Sequence, residues 1–430
     1  MAAPSVDADG DRSTTDPAGI PATSAPPRPT TVVVLGGLVA LGPLTLDLYM
    51  PALPALRSDL HSTVPAAQLT LTASLIGLSL GQLLFGPLSD RLGRLRPLVV
   101  GLAVYTAATV LCALAPTMEV LIGARLVQGL AGSAGLVISR AIARDRYEGV
   151  AMIRFLASLG VISGLAPILA PVLGGQLLRF TSWRGTFVAL SVLGGLLTLG
   201  ALLVLRETLP PERRHAGGVA STFRAIGGLL RDRPFLGYVL TSTFGFGALF
   251  AYVGGSSVVL QGVYHVSPQT YSLIFATNSV GVVAFTQLNG RVLAGRFTQS
   301  ALMLVGLGMA ALAGAALIVF TAVLDVGLAG VWPALFLLMA GQGLILPNSS
   351  AGALTMAPHA AGSASALLGT STFLCGAVVA PLSSAGGQPS AVALGVVVLS
   401  CALLATTAYL LLCRPWARVP DPVEDRLVKA

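Results

Sequence analysis

Apolar residues fill long stretches of this chain, and short polar segments rich in glycine and arginine interrupt them at regular intervals. Runs long enough to span a bilayer recur at about 31–54, 69–89, 97–116, 119–141, 153–178, 184–205, 235–261, 270–290, 299–322, 329–350, 362–384 and 390–413. The pattern predicts an all-α integral membrane protein of twelve transmembrane helices. Residues 1–30 are rich in Ala, Pro, Ser, Thr and Asp without apolar periodicity, which reads as a disordered tail. Their acidic start and missing apolar core exclude a cleaved signal peptide. The longest polar connection, 206–234, separates a six-helix segment at 31–205 from another at 235–413, and a second tail follows at 414–430. The near-equal lengths suggest duplication. A sequence echo supports it: "GPLSDRLGRLRP" follows the second run and "NGRVLAGRFTQS" the eighth, with Asn289 where an acid is expected.

Composition agrees. Hydrophobic residues make up 54% of the chain and charged residues 10%, against roughly 25% charged in soluble proteins. The net charge is +8, a balance that in other settings marks nucleic-acid binding. Here the basic residues sit in short loops between apolar runs, which is the positive-inside pattern. With a cytoplasmic N-terminus, the inside loops hold Arg91, Arg94, Arg96, Arg144, Arg146, Arg154, Arg206, Arg213, Arg214, Arg224, Arg231, Arg233, Arg291 and Arg296, and the C-terminal tail adds more. The outside loops hold only Arg57, Arg179 and Arg184. Both ends are therefore expected in the cytoplasm. The four cysteines lie in apolar runs and the four histidines in separate loops. Neither set has disulfide or metal spacing.

Candidate chemistry begins with Asp47, about sixteen residues into the first run, or roughly 24 Å at 1.5 Å per residue. No other acid lies so deep; Asp90 and Glu119 sit at helix ends. A charge at that depth costs at least about 2.5–3.5 kcal/mol and marks a proton or ligand site on a water-filled cavity. Pro51 has no N–H, so the Asp47 carbonyl loses its helical partner, and Pro43 does the same for Val39. Ala40, Pro43, Asp47, Met50, Pro51 and Pro54 share one face, which reads as cavity lining. Arg125 and Gln128, one turn apart in the fourth run, are the second polar set, with Arg125 expected to act on Asp47. In "GPLSDRLGRLR", Gly86 and Gly93 permit a tight turn, and Asp90 closes a helix beside Arg91, Arg94 and Arg96. An acid at a helix C-terminus needs a partner, and Arg140 or Arg144 is expected to provide it as a cytoplasmic latch. In the fifth run Gly160 and Gly164 form a GxxxG, Pro167 and Pro171 bend the helix, and Gly174 and Gly175 follow; small residues allow close packing. Pocket candidates are Tyr49, Met50, Phe246, Phe250, Tyr252 and Asn278, alongside the plain reading of these aromatics as core or lipid-facing.

These residues resemble the major facilitator superfamily, in its Bcr/CflA (bicyclomycin-resistance-like) drug:proton antiporter branch. "LDLYMPALPAL" resembles the branch's first-helix motif, "GQLLFGPLSDRLGRLRP" the superfamily's signature loop, "RLVQGLAGSAG" the fourth-helix motif, and "ETLPPERR" the branch's central linker. "LAPILAPVLGG" fits the antiporter motif of the fifth helix loosely, with Ala166 where glycine is common. The resemblance implies the twelve-helix major facilitator fold, alternating access, a monomer, and export of small hydrophobic antibiotics such as chloramphenicol- or bicyclomycin-like compounds. The proton gradient across a bacterial inner (plasma) membrane would drive it, without a cofactor. By position, Asp47 would carry proton and substrate, Arg125 would tune it, and Asp90 would be the gate acid. Some antiporters of this type have a second acid two turns before the first; here that position is Val39. The competing reading is a proton symporter importing a sugar or organic acid. A membrane enzyme or sensor finds no support in convergent reactive groups, a nucleotide loop or a signalling domain.

Overall fold

A computed structural model of the chain describes residues 29–147, 149–214, 224, 226–384 and 390–414. The expected tails, apart from the few residues at their inner ends, and the middle of the expected linker lie outside the described residues. Among the described residues, twelve helices are long and apolar enough to cross a membrane. They are α1 (Pro29–Asp59), α2 (Val64–Leu92), α3 (Leu95–Leu114), α4 (Met118–Arg146), α5 (Ser158–Leu177), α6 (Trp183–Val204), α7 (Arg233–Gly262), α8 (Pro268–Leu293), α9 (Gln299–Ala322), α10 (Leu328–Met356), α11 (Gly362–Ser383) and α12 (Ala391–Cys413). Each apolar run of the sequence becomes one of them.

Local chemistry sets where several begin. Thr63, Thr117, Asp232, Ser267, Thr298 and Ser390 each accept a hydrogen bond from the backbone N–H three residues on, opening α2, α4, α7, α8, α9 and α12. Such a side-chain oxygen satisfies a donor that the helix cannot. Pro65, Pro234 and Pro268 occupy first turns, where the missing N–H is harmless.

The first helix is discontinuous. It is α-helical from Pro29 to Asp47, makes a 3-10 turn at Met50–Ala52 and resumes at Leu53–Asp59. The helix stops at the residue whose carbonyl Pro51 cannot serve. Pro43, by contrast, sits inside an unbroken stretch.

Within the first six helices α2 packs on α4 and α3 on α4 and α6; within the last six α9 packs on α10 and α12, and α7 on α12. The two sets meet along α2–α11 and α5–α8. The most buried span is α7, with 83% of its apolar window inside, whereas α6 and α12 have 28%. The latter two turn Val192, Leu196, Leu203 and Leu403 outward, as a lipid-facing periphery requires.

Hydrogen bonds close the two sets together at the end away from the arginine-rich loops. Gln68 donates to the Gly254 carbonyl at 3.1 Å, Thr72 to Ala377 at 2.9 Å, Ser257 to Met50 at 2.8 Å and Gln269 to Gly175 at 3.0 Å. Close packing in α5 is also there. Gly174 lies against the Leu48 carbonyl in the α1 break, and Gly175 against Ser272 of α8. The expected packing role of the Gly160/Gly164 pair is not realised. A methyl at Gly160 would meet nothing within 4 Å, and one at Gly164 only Val283 at 3.6 Å.

This contrast generates a test. Gly174→Val drives a side chain into main chain that cannot retreat, and overpacking of that kind costs about 1–3 kcal/mol. Thermal unfolding of the purified protein should show a clear loss for Gly174→Val and little change for Gly160→Val.

Candidate functional site

Between the two helix sets lies a cavity of about 580 Å³. Its walls come from α1, α2, α4 and α5 on one side and α7, α8, α10 and α11 on the other. From α1 the lining residues are Val39, Gly42, Pro43, Leu46 and Asp47, a stripe with helical spacing. The face read from the sequence is right at Pro43 and Asp47. Ala40, Met50, Pro51 and Pro54 do not line it, because the lining stripe is offset from Ala40 and the break redirects the chain after Asp47.

Asp47 is 7% exposed. Among the described residues, its side chain makes no hydrogen bond or ion pair, and it is the only acid on the cavity wall. Facing it are aromatic rings of the other set. Phe246 and Phe250 of α7 and Phe373 of α11 form a cluster with ring centroids 5.0 to 6.2 Å apart. Phe275 of α8 also lines the cavity.

Four expected pocket residues point elsewhere. Tyr49 is fully buried beside Phe187, with its hydroxyl 3.1 Å from Thr70 Oγ1. Met50 is buried and contributes its carbonyl to Ser257. Tyr252 stacks on Phe275 and accepts a hydrogen bond from Asn278 Nδ2 at 3.1 Å, which holds both side chains behind the wall. Residues the sequence reading passed over include Gln82, Phe275 and Phe373. The four-residue step from Phe246 to Phe250 pointed to one aromatic face, but nothing local pairs Phe373 with it.

Arg125 does not pair with Asp47. It is wholly buried behind the α1 break. Its Nη1 donates to the Thr45 carbonyl at 3.0 Å and to Gln128 Oε1 at 2.7 Å, and its guanidinium lies 4.3 Å from the Tyr49 ring centroid. Gln128 continues the network to Thr109 at 2.8 Å, and Thr45 shares a 2.7 Å hydrogen bond with the Tyr105 hydroxyl. One cation therefore knits α1, α3 and α4 through carbonyl and amide oxygens and an aromatic face.

The signature loop departs from expectation in its pairing. Asp90 meets Arg94, one turn on, at 2.5 Å, and neither Arg140 nor Arg144. Arg94 is 3% exposed and also holds Asp145 at 2.7 Å. Glu207, just after α6, accepts the Arg94 and Leu95 backbone N–H groups at 2.8 and 3.2 Å. Gly93 has φ of +90°, a turn that brings these N–H groups to the carboxylate and leaves no room for a side chain. Burial opposes the Glu207 charge, but backbone donors from Arg94, Leu209, Leu95 and Thr208 hold its carboxyl below the ordinary range. All partners lie in the first six helices, so the loop clamps α2, α3, α4 and α6 together. Arg91 and Arg144 are exposed, and Gly86 has open space around it. Arg140 instead lines the cavity.

The echo in the second set keeps the turn and loses the charge. Gly295 has φ of +91°, matching Gly93. That alignment puts Val292 opposite Asp90, so the counterpart is Val292 and not Asn289. Arg296 is exposed where Arg94 is buried.

A family model described as Major Facilitator Superfamily matches residues 35–381. The chain is 38% identical over 378 residues to "Uncharacterized MFS-type transporter YdgK" of Bacillus subtilis (strain 168), covering 87% of this chain and 93% of that protein. It is 28% identical over 381 residues to "Bicyclomycin resistance protein homolog" of Haemophilus influenzae, covering 88% and 94%. Among solved structures, a bacterial homologue of the human lysosomal transporter Spinster, inward-facing and unoccupied, superposes with a TM-score of 0.68 at 16% identity, covering 90% of this chain and 98% of that one.

The clamp makes a pH prediction. A carboxyl held below its ordinary value of 4.5 stabilises the fold fully above that pH and loses the contribution as pH falls through the lower folded value. The melting-temperature gap between wild type and Glu207→Gln should be steady above about pH 5 and shrink below about pH 4.5.

Proposed function

Because the chain belongs to the Major Facilitator Superfamily, we propose that it is a drug:proton antiporter that exports small hydrophobic antibiotics across the inner membrane. The observation that carries this reading is a single unpaired carboxyl, Asp47, on the wall of an otherwise largely apolar cavity lined by both helix sets. Phenyl rings opposite it suit compounds such as chloramphenicol- or bicyclomycin-like molecules. The printed name of the Haemophilus relative supports the drug class.

The arginine-rich end is taken as cytoplasmic. The cavity reaches toward that end, and the hydrogen-bonded seal lies at the other. In this reading the chain is in its inward-open state. Alternating access then requires the seal to break and the cytoplasmic mouth to close.

Asp47 couples the two fluxes by charge. While the cavity holds water, a carboxylate on its wall is tolerated. Closing the cavity around an empty, ionised Asp47 would leave a charge at membrane depth, costing at least about 2.5–3.5 kcal/mol. A proton removes that cost, so the protonated, empty carrier returns inward. A bound drug that donates a hydrogen bond to the carboxylate replaces the water it displaces, and so accompanies the deprotonated carrier outward. Arg125, fixed behind the same break, holds Asp47 in place through Thr45 rather than through a direct ion pair.

Asp47→Asn keeps the shape and removes the proton site. In proteoliposomes, pH-gradient-driven export of a chloramphenicol-like probe should fall to background with normal expression and folding. Full gradient-driven export by this variant would refute the role given to Asp47. In intact cells the wild type should lower probe accumulation; raised accumulation would mark an importer.

A further inference from the structure

Near the arginine-rich end, the cavity wall carries three hydrogen-bond donors that lack partners. Arg140 of α4, Ser350 of α10 and Ser365 of α11 all line the cavity. None makes a side-chain hydrogen bond or ion pair among the described residues. Arg140 and Ser365 are exposed to it. Arg91 and Arg144, at the same end of the bundle, are exposed but outside the cavity. Arg140 is thus more than a topology-setting arginine: it brings a cation into the transport path.

Asp47 does not neutralise that cation. Gly135 of α4 lies against the Leu38 carbonyl of α1, which sets the two helices level there. Asp47 is nine residues from Leu38 toward the sealed end, and Arg140 is five residues from Gly135 toward the open one. At 1.5 Å per residue the two are about 20 Å apart along the bundle. That is twice the distance over which charges interact in physiological salt, about 8–10 Å. Ser365 lines the same cavity from the other helix set. It is one turn toward the mouth from Gly369, which abuts Gln82 of α2. Leu136, Leu354 and Leu368 surround the donors with apolar side chains.

We infer that the cavity mouth is an anion-recognition subsite, and that the carrier takes hydrophobic compounds bearing a carboxylate-like group. This rests on the export reading given above. The planar guanidinium of Arg140 pairs with two oxyanion oxygens at once, a geometry that lysine does not offer. The hydroxyls of Ser350 and Ser365 donate to the same group. The apolar body of the ligand then extends from the mouth toward Gln82 and Phe246.

The test uses the full chain in nanodiscs, an aromatic carboxylate dye and its neutral carboxamide, titrated by fluorescence near pH 7. Wild type should favour the carboxylate roughly tenfold or more, the scale of a charge-assisted pair over a neutral one. Arg140→Gln should collapse that ratio toward one, and Arg140→Lys should retain an intermediate ratio. Arg144→Gln, outside the cavity, should leave it as in wild type. Equal binding of both probes by wild type overturns the subsite alone. Loss of affinity for both in proportion in Arg140→Gln also overturns it, because that marks a packing or gating role. Wild type that binds neither probe overturns the subsite and the drug-cavity reading together.

Discussion

The break in α1 after Asp47 is the constraint on which the rest of the architecture depends. Main-chain carbonyls released inside a membrane must find donors or water. Here Thr45's is taken by Arg125 from α4 and Met50's by Ser257 from α7, while Leu48's is reached by the bare backbone of Gly174 in α5. One discontinuity thereby ties α1 to three other helices, two of its own set and one of the other. The same break ends the cavity-lining stripe at Asp47 and leaves the carboxyl there without a protein partner. A continuous helix would present none of these carbonyls, and Arg125 would lose the Thr45 carbonyl as an acceptor.

The seal between the helix sets is built from the same material as the break. Its bonds run from Gln, Ser and Thr side chains to backbone carbonyls. Each is worth about 0.5–1.5 kcal/mol net, so a handful can be exchanged for water without unfolding either set. Ion pairs at those positions would be harder to part, since each buried charge would be left unpaired. The strong ion-paired contacts, around Arg94, lie inside one set and need not break in the proposed alternating access. Strong bonds hold the first set together, and weak ones join it to the second.

Much of this was legible in the sequence. All twelve spans follow from run length, several starts from capping Ser, Thr and Asp, and the place of Asp47 on a cavity wall from its depth. The α1 break was legible because proline removes a specific donor. Direction around a helix axis was not. Tyr49, Tyr252 and Asn278 lie on helices that line the cavity yet point behind its wall, and only neighbouring helices decide that. Long-range partners were equally hidden: Arg94 joins residues from α2, α4 and the end of α6, and no local rule prefers Asp145 to Arg140 as a member of that cluster. Arg140 itself carried a usable signal, since it falls inside the apolar run predicted at 119–141 rather than in the loop after it.

The two sets share a backbone plan but divide the chemistry. Gly93 and Gly295 make the same left-handed turn, while Asp90 is answered by Val292 and buried Arg94 by exposed Arg296. Both charged residues on the cavity wall, Asp47 and Arg140, belong to the first set, and the second supplies phenyl rings and hydroxyls. A physical reason favours that division. Neither Asp47 nor Arg140 has a side-chain partner among the described residues, so with both on one body no ion pair across the cavity has to break. The proposed alternating access would then move the opposing wall past on apolar and weakly polar contacts, which hold no single geometry so tightly that the carrier would stall in it.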